Sequence, residues 1–318
     1  MSIVTVTLNP CIDRTITIGK PIEISGTHRV ENRREEVSGK GLNVSFLLKN
    51  WNVETKCIGF DFAGSDCAVK KVLDTKDIPH ELVTVDGDIR CNIKVFDKAD
   101  CTMTEFNEKG FPIDPQSCEL LIHKMEALFH TMKKEDLLVL TGSVPPGVSA
   151  DIYKQLIEKA KLYGIRTILD ASSELLKEGV EAVPFGLKPN QEELETLLGY
   201  RPKSEKEIVS ACKELLRKGI EYICVTLGDK GAFLVSQEGV YQAEPLKIDI
   251  KGIQGAGDSV VAGMCVALQE GKNTEQMLRY AMAAAGGSLL REGTQMCRPE
   301  DFQRLLPEVK IKTLTFAI

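Results

Sequence analysis

The run GAGDSVVAG at 255–263 places Gly-Ala-Gly directly before a carboxylate and then continues into small apolar residues. The apolar stretch that follows predicts a buried helix from Ser259 onward, with its N-terminus at Gly257 or Asp258. Gly255, Ala256 and Gly257 would let backbone N–H groups turn toward one point, and the helix dipole adds positive potential there, so the turn suits an anion. A phosphoryl group in transfer is such an anion. Asp258 beside it is placed to accept the proton of an attacking hydroxyl. The same residues also fit a plain helix cap with glycines for close packing. Two better-known phosphate loops are excluded: Val260 stands where a G-x-G-x-x-G fingerprint needs its last glycine, and the chain has no G-x-x-x-x-G-K-[ST] loop.

Three further stretches carry chemistry-bearing types at helix starts or strand ends. In SGKGLNVSFLL at 38–48, Gly39 and Lys40 precede Asn43 and an apolar helix, which suits a sugar phosphate, the lysine for charge and the amide for hydroxyls, or an ordinary loop-to-helix junction. In LKPNQEELETLLG at 187–199, Asn190 and Glu193 lie three apart at a helix start, where they fit either a Mg²⁺ site, directly or through water, or a capping box. TLGDKG at 226–231 puts Thr226, Gly228 and Gly231 at a strand end, as a nucleotide cradle or a hairpin turn. Asp13, just past the first strand, is an acceptor for hydroxyls.

These residues need elements to position them. Apolar runs at 3–8, 135–141, 166–170, 185–188 and 222–227 read as buried strands that stop at polar or turn residues. Between them, Ile152, Leu156, Ile157, Ala160 and Tyr163 share one helical face, and Ile208, Ala211, Cys212, Leu215 and Leu216 another. Strands alternating with helices imply an α/β fold with a mostly parallel central sheet flanked by helices. Segments 11–37 and 88–106 alternate without helices and predict a small antiparallel excursion able to cover the site as a lid. Without repeats or long linkers, residues 1–318 read as a single domain with that lid.

Composition narrows the partners. A net charge of -6 with 40 basic residues dispersed among 46 acidic ones gives no footprint for nucleic acid or an anionic membrane. The ten cysteines form no C-x-x-C pair and read as reduced, mostly core-filling thiols, and the four histidines complete no metal spacing with them. The opening MSIVTVTLNP lacks a basic n-region, and no run approaches a membrane span, so the expected compartment is the cytoplasm.

Taken in order, GKGLN, LTGSVPPG at 140–147, KPNQEE, TLGDKG and GAGDSVVAG resemble the pfkB branch of the ribokinase-like carbohydrate kinases across essentially the whole chain. TLNPCID at 7–13 together with GKGLN is similar to its sugar-phosphate kinases, the 1-phosphofructokinase, tagatose-6-phosphate kinase and minor 6-phosphofructokinase types. The resemblance implies a three-layer sandwich with a β lid, and Mg·ATP-dependent phosphorylation of a ketohexose monophosphate, foremost fructose 1-phosphate. It implies Asp258 as catalytic base and Gly255, Ala256 and Gly257 as anion hole. It further implies Asp13, Gly39, Lys40, Asn43, Arg90 and Ser143 as sugar-phosphate contacts, with Lys188, Asn190, Glu193, Thr226, Gly228 and Gly231 along ATP. Asn190, Glu193 and Asp170 would serve the magnesium ion; separately from the resemblance, an exposed lid face offers a surface through which a second copy could pair as a homodimer. Gly252, Ile253 and Gln254 depart from the small hydroxyl and apolar residues usual before the GAGD turn, Ser38 replaces a glycine, and Phe46 stands where an Arg is common. A sugar-phosphate or nucleotide sensor on a kinase scaffold is the alternative from another class.

Overall fold

The computed structural model describes residues 1–100 and 102–315. The strands, in chain order, are β1 (Ile3–Thr7), β2 (Cys11–Ile18), β3 (Val30–Ser38), β4 (Thr55–Phe62), β5 (His80–Val85), β6 (Arg90–Asp97), β7 (Thr102–Asn107), β8 (Leu137–Thr141), β9 (Arg166–Asp170), β10 (Gly186–Leu187), β11 (Tyr222–Thr226), β12 (Ala232–Ser236), β13 (Gly239–Ala243) and β14 (Ile311–Thr313). The helices are α1 (Lys40–Asn50), α2 (Ala68–Thr75), α3 (Pro115–Phe129), α4 (Ile152–Leu162), α5 (Ser173–Glu181), α6 (Gln191–Leu198), α7 (Glu205–Arg217), α8 (Ala256–Gln269), α9 (Thr274–Leu289) and α10 (Pro299–Leu305).

The main sheet runs β14-β13-β12-β11-β10-β9-β8-β1-β4-β5. Pairings from β11 through β5 are parallel, and β12, β13 and β14 add an antiparallel edge. All five residues of β1 and all five of β8 are buried, so both faces of the sheet centre are covered, which is the reason these strands read as unbroken apolar runs. Chain order proceeds outward in opposite directions from β1 and β8, making the gap between them the crevice where ligands enter such sheets.

The helix at GAGDSVVAG is α8, and it begins at Ala256 with Gly255 as its cap, one to two residues before the position expected from the apolar pattern. Ten of its residues are buried, and it packs on α9 and α1. Each fully buried Val or Met there contributes about 1.5–3 kcal/mol relative to exposure, enough to anchor the turn at its head.

The lid is a separate sheet of order β3-β2-β6-β7. Its outer pairs are antiparallel as expected, but the central pair β2–β6 is parallel. The cause is topological: β2 follows β1 and β6 follows β5, and because β1 and β5 run parallel, both successors leave from the same C-terminal end of the main sheet. Nine described cysteines are free and six of them buried, in line with a core-filling role, while Cys101 lies outside the described residues. Among the described residues no helix is long and apolar enough to cross a membrane.

Candidate active site

The C-terminal ends of β1, β8, β9, β10 and β11 converge on the mouth of α8. Asp258, in the first turn of that helix, is 5% exposed. Asn43 Nδ2, from the first turn of α1, donates to Asp258 Oδ2 at 2.7 Å. Ser38 Oγ donates in turn to Asn43 Oδ1 at 3.3 Å, so the serine that replaces a glycine here fixes which way the amide faces. Burial raises the Asp258 carboxyl to about 6; Lys40 opposes the rise, Asp170 adds to it, and the Asn43 hydrogen bond opposes it.

The anion cradle lies one step away. Gly255 has φ 70°, a left-handed conformation that glycine adopts without strain and that turns the chain into α8. The first amides of a helix have no intrahelical acceptor, so those of Ala256, Gly257 and Asp258 are available to phosphoryl oxygens. Lys188, at the end of β10, sits against the cradle: a Cβ on Gly257 would lie 3.8 Å from its Nζ.

Behind this cradle, Asp170 at the end of β9 is fully buried between two ammonium groups, Lys188 Nζ at 3.0 Å and Lys40 Nζ at 3.2 Å. Thr141 Oγ1 donates to the same carboxylate at 3.0 Å. Burial works against its charge, but Lys188 and Lys40 outweigh it and hold the carboxyl at about 2. Burial alone would lower Lys40, yet Asp170, Asp258 and Glu193 hold it above its ordinary value. The Lys40 side chain keeps 41% of its surface exposed and lines the neighbouring cavity.

A cavity of about 160 Å³ is lined by Thr7, Asn9, Lys40, Arg90, Gly142 and Ser143, among others, and so gathers Lys40, Arg90 and Ser143, expected to contact a sugar phosphate. It adjoins a recess of about 480 Å³ that shares Asn9, Arg90 and Ser143 and adds Asn107 and Lys109. Arg90 is held by Asn9 O at 3.2 and 3.1 Å and by Glu108 O at 3.0 Å, while Asn9 Nδ2 donates to Ser143 Oγ at 3.1 Å. Thr7 Oγ1 and Asn9 Oδ1 are buried without a hydrogen-bond partner among the described residues, which suits a polar ligand. Gly39 caps α1 beside this cavity. Asp13 stands in the lid, 5% exposed, gripped by Lys94 Nζ at 3.2 Å and Asn92 Nδ2 at 3.1 Å.

Asn9, Asn92 and Lys94 escaped the sequence reading. Their signal was present: Arg90, Asn92 and Lys94 alternate along one face of β6, two residues apart, and they register against Cys11, Asp13 and Thr15 of β2.

At the start of α6, Asn190 and Glu193 form a complete capping box: Asn190 Oδ1 accepts from Glu193 N and Glu193 Oε2 from Asn190 N, each at 2.8 Å. Burial and Asp170 raise the Glu193 carboxyl above its ordinary value. Thr226 bridges Asn190 across adjacent strand ends, which makes KPNQEE and TLGDKG one continuous ledge. There Gly228 opens a 3₁₀ turn and Gly231 leads into β12, so TLGDKG is also a hairpin connection. Among the described residues no three His, Cys, Asp or Glu side chains cluster as a metal cage. With Asp170 enclosed by lysines, the donors present would fit Mg²⁺ only as a hydrated ion, Glu193 Oε1 being the oxygen the cap leaves unused.

The profile of the pfkB family carbohydrate kinases matches residues 6–301. The 1-phosphofructokinase of Bacillus subtilis (strain 168) is 32% identical over 312 residues, covering 98% of this chain and 100% of the relative. Phosphofructokinase-2 of Escherichia coli, solved in complex with substrates and products, superposes with a TM-score of 0.90 at 27% identity, covering 97% of this chain and 99% of that one. Its tetrameric inhibited form gives 0.86 at 27% identity, covering 96% and 98%.

Proposed function

The chain belongs to the pfkB family of carbohydrate kinases and is a phosphotransferase, and we propose from that premise that it moves the γ-phosphoryl group of ATP to the free primary hydroxyl of a ketohexose monophosphate. Fructose 1-phosphate, taken at O6 to the 1,6-bisphosphate, is the substrate we assign, in keeping with the relative that matches along the whole chain. The observation that carries this reading is the buried Asp258, its carboxyl raised to about 6 at the head of α8 and hydrogen-bonded to Asn43, in the same first turn of α1 as Lys40, whose side chain lines a cavity together with Arg90.

Arg90 and Lys109 would receive the phosphate the sugar already carries, in the recess they line, with Ser143 and Asn9 as hydrogen-bonding neighbours. Asp13, Asn43 and Gly39 would hold the sugar hydroxyls and place the free primary hydroxyl at Asp258. As oxygen attacks phosphorus, the proton passes to the Asp258 carboxylate. The equatorial oxygens meet the amides after Gly255, with Lys40 and Lys188 supplying positive charge. ATP would lie along the ledge of Lys188, Asn190, Thr226, Gly228 and Gly231. When bound, Mg²⁺ neutralises the nucleotide phosphates; Glu193 would hold it, with Asn190 and the enclosed Asp170 acting through water. Asp170 meanwhile holds both lysine side chains in place through its two ion pairs. A reaction drawing on ATP and free sugar phosphates fits a cytoplasmic enzyme, and the apolar outer surface of the lid, with Ile24 97% exposed, would pair with a second copy.

Steady-state assays with fructose 1-phosphate, tagatose 6-phosphate and fructose 6-phosphate test the reading, with Asp258→Asn as control. The highest kcat/KM is expected for fructose 1-phosphate. Absence of bisphosphate from all three would overturn it.

A further inference from the structure

The lid and the catalytic turn are far apart in sequence, yet one short segment, 292–297, touches both. On the lid side, Glu36 Oε2 accepts from Thr294 N at 3.0 Å and from Thr294 Oγ1 at 3.1 Å. Arg34 braces the contact, 3.6 Å from Glu36 and 3.4 Å from Glu292. Approach is so close that a Cβ on Gly293 would collide with both Arg34 and Glu36.

On the turn side, Met296 Cε lies 2.3 Å from where a Cβ on Gly255 would be. A directional relay runs beside it: Cys297 N–H donates to Ser288 Oγ at 2.8 Å, Ser288 lies 2.7 Å from Ser259 Oγ, and Ser259 donates to Gly255 O at 2.8 Å. Since the single hydroxyl proton of Ser259 is spent on Gly255, Ser288 is the donor between the serines. The backbone of the anion cradle is thus fixed from behind by the segment that Glu36 holds.

Glu36 also shares its lid face with Asp13. In the β2–β3 ladder it is directly opposite Asp13, and opposite residues of an antiparallel pair project to the same face. We propose that Glu36 is a positioning residue for phosphoryl transfer: it ties the lid strand beside Asp13 to Thr294, and through Met296 and Ser288 to the Gly255 turn, so that lid closure over the sugar and assembly of the anion cradle are one event. This rests on the kinase reading above and adds the device that makes transfer conditional on the sugar.

The test compares Glu36→Ala with Glu36→Gln, whose amide oxygen still accepts from Thr294. Amide hydrogen exchange reads the linkage without catalysis: residues 255–260 in Glu36→Ala are expected to exchange about tenfold faster than wild type while β1 and β8 keep their protection. In turnover, kcat is expected to fall about 10- to 100-fold, with KM for ATP within about twofold, and Glu36→Gln to recover most of the loss. Unchanged exchange at 255–260 would overturn the proposal, as would kcat within about twofold of an active wild type, or a loss that Glu36→Gln does not rescue. A wild type that forms no bisphosphate removes the kinase reading instead, and the exchange comparison then decides the linkage by itself.

Discussion

At the scale of single residues, the site is governed by two carboxylates in opposite electrostatic settings. Asp170 is pinned near 2 by two lysines, and Asp258, with burial dominant, rises to about 6. A general base must be unprotonated, so kcat is expected to be flat above neutrality and to fall tenfold per pH unit below about 6; a profile flat down to pH 5 would remove Asp258 from that role. The linkage has the opposite sign for stability. A carboxyl raised in the folded state binds more protons folded than unfolded between its two values, so this group stabilises the fold as pH drops through 6 and weakens it above. Asp258→Asn, which removes the buried charge and keeps an acceptor for Asn43, is therefore expected to cost about 10²–10⁴ in kcat. At pH 7 it should also gain about 2–3 kcal/mol in unfolding free energy. Denaturant titration beside the kinetic assay checks both, and a variant both inactive and less stable would contradict the assignment of burial as the cause.

At the scale of elements, the capping box at the start of α6 joins fold to function, since the side chains that end the helix also border the ledge we assign to ATP. Asn190→Ala removes the acceptor for Glu193 N and is expected to lower stability by about 1 kcal/mol. It should raise KM for ATP and leave KM for the sugar phosphate unchanged, a split that two substrate titrations would show. How far such elements could be read from sequence depended on how local their causes are. Strands β1, β8, β9, β10 and β11 followed from buried apolar runs and helices α4 and α7 from one-sided apolar patterns, and both readings of KPNQEE rested on a spacing of three. The start of α8 was misplaced because Gly255 and Ala256 carry no apolar signal and a left-handed φ is invisible in composition. The parallel pairing of β2 with β6 depends on where β1 and β5 deliver the chain, and Lys94, Asn9 and Glu36 matter through partners 81, 134 and 258 positions away, or across a ladder, which no local window contains.

At the scale of the whole molecule, the main sheet is buried on both faces and the lid sheet is not. Ile22, Ile24, Val30 and Phe106 are exposed large apolar residues of the lid, and eight of the nine residues of β3 are less than fully buried. Ile22 and Ile24 lie in the β2–β3 connection and Val30 and Phe106 on strands β3 and β7; exposed apolar side chains of this kind favour cover, which a second copy of the same lid would offer self-complementarily. A stable pair must remove about 1,200–2,000 Å² of total surface from water. Sedimentation is expected to give twice the 35.1 kDa of one chain. Ile24→Asp, at a position 97% exposed in the single chain, should leave the fold intact and shift the mass toward one copy. If wild type and variant sediment alike as dimers, the pairing surface lies elsewhere; if both are monomers, the lid works as a cover for its own site alone.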